Sequence, residues 1–190
     1  LGSLRRDAIT VLPRTLLDPN LEVLRGGLEA SVSLAVGNFY AVVEALTKGL
    51  RVVRPGWRTE IVQALGKVGE KRANSVLPPL MKVFKEGPGE AKRTVARTLC
   101  SLSRFEPQVV SPYLRTVARD PDASVRSAAA NCLEVLSASD PKGAARLARE
   151  LAQAEDVTVK LAATKALGLL APQAPELALP ALLELAKDPQ

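Results

Sequence analysis

Apolar residues in this chain recur at steps of three and four, and that pattern itself recurs. From Asn74 to Glu86 the apolar positions are Val76, Leu77, Leu80, Met81, Val83 and Phe84, a stripe down one side of a helix. Gly87-Pro88-Gly89 interrupts it, and Ala91, Val95, Thr98, Leu99 and Leu102 then outline a second helix after the breaker. The same pair is predicted over 107–119 with 123–136 and over 141–153 with 157–170, and 39–51 with 55–68 precedes them. The pairs superimpose without gaps at a period of 34 residues. Trp57-Arg58, Ala91-Lys92, Val125-Arg126 and Val159-Lys160 then align, and Leu65, Leu99, Leu133 and Leu167 form one column eight residues later. Half a repeat away stand Pro78, Pro112 and Pro180 in one column and Leu80, Leu114, Ala148 and Leu182 in another. A fixed period of this size marks a solenoid, in which each small unit buries its apolar face only by stacking on its neighbours.

The two ends are less regular. Leu4 to Leu17 reads as a first helix whose Pro13 sits about a turn later than the proline column, and Asn20 to Val36 reads as its partner. That partner aligns either 34 residues from the next unit, starting at Asp18-Pro19, or with a one-residue slip that puts Arg25 under Arg58. Pro175 to Lys187 is an outer helix, and Asp188-Pro189 matches the turn at Asp120-Pro121. Because an uncapped last repeat would leave an apolar face open, further structure is expected to follow. Leu1-Gly2-Ser3 reads as the remnant of a cleaved expression tag, and 4–190 as one repeat domain from a longer protein.

Composition narrows the chemistry. Apolar residues make up 47% of the 190, yet aromatics only 3%, so alanine and leucine, both good helix formers, carry the core. Charges interrupt the apolar runs, no membrane span is expected, and the chain reads as a soluble, cytoplasmic protein. Histidine is absent, which removes Ser-His-Asp and Cys-His pairs, imidazole bases and nearly all zinc catalysis. Cys100 and Cys132 are too few for a disulfide scaffold and lack metal-ligand spacing, so no cofactor or metal is expected. Cys132 shares a column with Ala64, Thr98 and Ala166 and is predicted to be buried, with Cys100 nearer the surface. The Gly66-Lys67-Val68-Gly69 and Gly87-Pro88-Gly89 stretches are read as turns or helix ends, since no phosphate-loop Gly-Lys-Ser/Thr follows.

The segment Asp120-Pro121-Asp122-Ala123-Ser124-Val125-Arg126-Ser127-Ala128-Ala129, followed by Cys132-Leu133, resembles the HEAT repeat, with its turn aspartate, Val-Arg pair and alanine-rich inner helix. Val157 to Gly168 repeats the pattern with Lys160 for arginine, and Gln63-Ala64-Leu65-Gly66 carries the same ending. The likeness runs over about residues 4–190 and weakens around 20–36, where Gly26-Gly27 interrupts the helix. The tetratricopeptide and ankyrin signatures are missing. The resemblance implies an all-α fold, a right-handed α-α superhelix of about five two-helix repeats plus a terminal helix. It also implies a structural ladder in which Arg58, Lys92, Arg126 and Lys160 bond turn acids such as Asp120 across neighbouring repeats.

Inner helices of such a stack line its concave side. The face opposite Ile61, Leu65 and Val68 carries Gln63 and Lys67, then Arg93, Arg97 and Arg104 on one side of one helix, then Asn131, then Leu161, Lys165 and Leu169. Residues 48–126 hold 16 basic and 7 acidic side chains, against 10 and 13 elsewhere. The expected function is therefore a non-catalytic scaffold that takes another protein, one with an acidic surface, on its concave face. Two alternatives are binding of nucleic-acid phosphates by the basic middle, disfavoured by the scarcity of exposed aromatics, and an accessory role like that of the HEAT-like bilin lyase subunits. Charge, helix face and column position leave the oligomeric state open.

Overall fold

The computed structural model describes residues 10–187, so the first-helix start, the tag remnant and the Asp188-Pro189 turn lie outside the described residues. The described residues are helical, without a strand. They fall into two compact units, one up to Val95 and one from Ala96.

The first unit starts with a helix over 10–16, here α1, followed by α2 (Leu21–Val52), a 3-10 turn (Pro55–Trp57), α3 (Arg58–Gly69) and α4 (Ala73–Glu86). Helix α2 packs on α3, and α3 on α4. Helix α5 (Gly89–Ser103) runs through the boundary. The second unit continues with α6 (Pro107–Val117), α7 (Ala123–Ala130), α8 (Leu133–Ser139), α9 (Pro141–Ala152), α10 (Val157–Leu170) and α11 (Pro175–Leu185). There α9 packs on α6, α8 and α10, and α11 packs on both α9 and α10. The repeat columns become the core: Leu65, Leu99, Leu133 and Leu167 are all buried, as are Leu80, Leu114 and Ala148. Each such leucine is worth roughly 1.5 to 3 kcal/mol of burial. The prolines of the third column lie inside α4, α6 and α11 on exposed faces.

Helix α2 spans both helices expected over 20–36 and 39–51, but it is bent where they were expected to part. Asn38 has φ −139° and ψ 44°. The residues that start the first helix of each later pair have nearly the same backbone: Arg72 at −153° and 57°, Glu106 at −131° and 64°, Asp140 at −145° and 76°, Ala174 at −143° and 59°. These five positions are 34 residues apart. Asn38 is thus the helix-start residue of its repeat, in a place where the preceding turn has become helical. In three of the others a proline at the first helical position (Pro107, Pro141, Pro175) enforces the break, because its ring excludes helical dihedrals from the residue before it. Phe39 imposes no such restriction.

The caps settle the register left open at the first repeat. Asp18 Oδ1 accepts from Asn20 N at 2.8 Å, and Asp120 Oδ1 accepts from Asp122 N at 3.0 Å. Asn20 then caps α2 through Glu22 N, Asp122 caps α7 through Ser124 N, and Asp156 caps α10 through Thr158 N and Val159 N. Asn20, Asp122 and Asp156 are separated by multiples of 34, so the alignment from Asp18-Pro19 holds without a slip. The Gly26-Gly27 interruption has a physical reason at its second member. A Cβ at Gly27 would lie 2.3 Å from Thr15 Oγ1, whereas one at Gly26 would meet nothing within 4 Å. At Gly27 the missing side chain leaves room for Thr15 of the first helix.

Three expectations are corrected. The helix predicted over 123–136 is broken at Asn131-Cys132, where Cys132 N donates to Ala129 O and tightens the turn to 3-10 geometry; α8 restarts at Leu133. Gly66 lies inside α3 and is not an end, while Gly69 closes that helix, where a Cβ would lie 2.3 Å from Val76 Cγ2 of α4. Finally, α2 is long and apolar enough to cross a membrane by length and composition, which the reading of broken apolar runs did not anticipate. In this structure it bends at Asn38 and buries Leu24, Leu28, Leu46 and Leu50.

Candidate functional site

The predicted docking residues divide between the two units. In the first, Gln63 and Lys67 are exposed on α3 and share a pocket of 210 Å³ with Arg25 and Glu60. Arg25 Nη2 donates to Glu60 Oε1 at 2.8 Å, and this bond raises the arginine's pKa. Gln63 and Lys67 therefore stand beside a satisfied ion pair from the previous repeat. Arg93 is half-buried on α5.

In the second unit Arg97 is exposed near the middle of α5. Arg104 is exposed too, but it falls one residue past the end of that helix, where its N–H donates to Ser101 O at 3.3 Å. The expected run of three arginines on one helix face is thus two on the helix and one in the turn. Asn131 is exposed at the α7–α8 break. On α10, Leu161 and Leu169 are 52% and 73% exposed, and Lys165 lies between them. Steps of four place the three on one side of the helix, while Val159, Ala163, Ala166, Leu167 and Leu170 are buried on the other.

Of the ladder residues, Arg126 donates through Nη1 to the carbonyl oxygens of Asp120 and Pro121, at 2.9 and 2.8 Å, in its own turn. Its charge also reaches the following turn. The Asp156 carboxylate is held below its ordinary range by hydrogen bonds from the Thr158 hydroxyl and the Val159 N–H, and also by the charge of Arg126. Arg58 lines a pocket with Glu86, one turn on. Lys92 is half-buried 5.5 Å from the Phe84 ring centroid, and Lys160 is half-buried at the start of α10.

The most strongly shifted carboxylate is one that the sequence did not single out. Glu150 on α9 accepts from Arg119 through both oxygens, at 2.8 and 2.7 Å, and from Arg115 Nη2 at 2.5 Å; both arginines belong to the previous repeat. The Arg119 hydrogen bonds, helped by those of Arg115, hold the Glu150 pKa at about 2. Arg115–Glu150 and Arg25–Glu60 are both 35 residues apart. A search for opposite charges about one period apart could have found them. Cys132 is fully buried, and hydrogen bonding with Cys100 and burial push its thiol well up; the half-exposed Cys100 is lowered by the same contact. Among the described residues no cluster of acids or thiols could hold a metal ion.

The sequence also missed a cleft of 730 Å³ at the Asn38 bend, lined by Val36, Phe39, Tyr40, Lys71 and Arg72 among others. Tyr40 is 71% exposed, and Phe105 in the other unit is exposed as well. These are the two exposed aromatics among the described residues.

Comparison with known proteins bears on the fold. Residues 112–190 match the family model for HEAT repeats. No curated protein matches the chain. Among solved structures, the crystal structure of an engineered protein from the Northeast Structural Genomics Consortium superimposes with a TM-score of 0.54 at 18% identity, covering 95% of this chain and 85% of that one. At that identity the likeness is one of fold alone, and it takes in both units. In sequence, residues 112–190 are thus similar to HEAT repeats.

Proposed function

We propose that this chain is a non-catalytic scaffold that binds another protein through the second helices of its repeats, the face assigned to the concave side. HEAT repeats act generally as protein-binding scaffolds, and catalysis is not typical of them. The observation that carries the reading to this chain is the α10 stripe, where two leucines are left more than half exposed on either side of Lys165. Large apolar side chains grouped on one exposed face favour a protein partner over a phosphate backbone. Arg97 and Arg104 supply positive charge within the same unit, which suits an acidic partner surface and steers its approach. We place the protein in the cytoplasm, away from membranes, on the strength of its two free thiols.

The test is capture of partners by the immobilised chain, compared with the Leu161→Glu/Leu169→Glu double variant. Loss of captured bands with an unchanged melting temperature is expected, since both side chains are already exposed. Undiminished capture would overturn the reading. A steep salt dependence of duplex DNA binding, measured in parallel, would favour the phosphate-binding alternative instead.

A further inference from the structure

We propose that the cleft at the Asn38 bend is a second docking site, distinct from the α10 stripe, for a peptide segment of a partner in which an aromatic or branched apolar side chain is flanked by carboxylates.

The cleft exists because this repeat departs from its own columns. Position 40 corresponds to Asn74, Gln108, Lys142 and Glu176, all polar and all exposed; here it is Tyr40, with 71% of its surface open. Position 36 corresponds to Glu70, Arg104, Ala138 and Pro172; here it is Val36, 90% exposed. The repeat fold needs neither apolar side chain at these places, since the other repeats use polar or small residues. The bend at Asn38 lies between the two, and both line the same 730 Å³ of open space. Burying such residues against a partner side chain would recover apolar surface that folding leaves wet.

Charge selects the kind of partner. The Phe39 and Tyr40 rings meet edge to face at 5.4 Å, and the Arg72 guanidinium lies 5.0 Å from the Phe39 centroid and 5.8 Å from that of Tyr40. Stacking of this kind holds the guanidinium in place while its N–H edge remains able to bond a carboxylate. Lys67 and Lys71 line the same cleft, opposed by Glu70 alone. The result is an apolar seat with a positive rim, complementary to an apolar anchor between acids. Glu70 and the aliphatic lining disfavour a phosphate backbone, which gains nothing from valine and is repelled by the carboxylate.

The test is selection of a phage-displayed random dodecapeptide library on the full chain, with Tyr40→Ser and Val36→Glu as counter-targets. Val36→Glu places at this position the residue that stands at 70 and replaces a 90% exposed side chain, so its helical circular dichroism melt should not move; Tyr40→Ser restores a polar residue but removes one ring beside Arg72, so a small shift is expected there. Enriched clones should carry an aromatic or branched residue next to acidic ones. Their affinity, read by fluorescence anisotropy of the synthesised peptide, should fall about tenfold or more in each variant and in Lys71→Glu. It should be unchanged in Leu161→Glu/Leu169→Glu, which separates this site from the α10 face. Failure to enrich over the variants, enriched clones without acids, or tighter Tyr40-dependent binding of a single-stranded oligonucleotide would each overturn the proposal.

Discussion

The two units of this chain build similar helix pairs and secure them differently. In the second, Asp122, Asp140 and Asp156 each cap a helix with a side-chain oxygen, and Arg115 and Arg119 reach Glu150 one repeat on. In the first, Asn20 caps α2 and Arg25 likewise reaches Glu60 one repeat on, but α3 and α4 begin at Trp57 and Arg72, neither of which supplies a side-chain cap. Close packing adds to these contacts: Gly27 admits Thr15, Gly69 admits Val76, and Arg72 rests on two aromatic rings. Only the second unit, with more of its helices capped by aspartates, lies within the matched HEAT segment, apart from its first residues. The matched segment is the one whose turns carry the Asp120 and Asp156 chemistry.

The column leucines should matter equally in both units. Leu65→Ala and Leu167→Ala each remove a fully buried side chain and should cost about 2 to 5 kcal/mol in chemical denaturation. A loss well below that range at Leu65 would show that the first unit does not depend on the shared column. Fit in the first unit is tested at adjacent glycines. Gly27→Val should destabilise by about 1 to 3 kcal/mol, because a Cβ there would lie 2.3 Å from Thr15 Oγ1 and 2.8 Å from Thr15 Cβ, whereas Gly26→Ala should stabilise by up to about 1 kcal/mol through helix propensity. Thermal melts of the pair decide it, and equal effects would remove the close-approach explanation.

Capping should act on a smaller scale, and it differs between helices within the second unit. Asp140→Ala breaks the bonds to Gly143 N and Ser111 Oγ and should cost about 1 kcal/mol. Glu106→Ala, at the same column position without a cap bond, should change stability by less than about 0.5 kcal/mol. The smallest effect concerns pH. Glu150 has its pKa lowered from 4.5 to about 2 in the folded chain, so its contribution is complete above pH 4.5 and is lost as pH falls towards 2. Discounted for solvent screening, that is about 1 kcal/mol. A Glu150→Gln variant should lose that much near neutrality and match the parent at the acid end of the window. Parallel pH–stability curves would rule out the Arg119–Glu150 link as a stabilising contact.

Much of the fold could be read from spacing. The 34-residue period located the helix pairs, the Leu65-to-Leu167 column and the burial of Cys132, because a position that is apolar or small in every repeat has one place to go. The bend at Asn38 was half legible, since two helices were expected where α2 runs as one. The break at Asn131 was not legible, because Ala128, Ala129 and Ala130 favour a continuous helix and only the local hydrogen-bond pattern ends it. Of the candidate docking residues, exposure of Gln63, Lys67, Arg97, Asn131, Leu161, Lys165 and Leu169 followed from helical periodicity. The pairing of Glu150 with two arginines did not, because long side chains reach past their own column and choose partners by geometry.

The sequence by itself determined the repeat unit, its period, its buried columns and the absence of histidine chemistry, all of which depend on residue type and spacing along one chain. Only the tertiary structure decided which charges meet across repeats, which glycines are close approaches, and that Val36, Tyr40 and Arg72 share a cleft. Those facts depend on where a helix bends and on the distances between side chains from different helices, which a one-dimensional pattern does not contain.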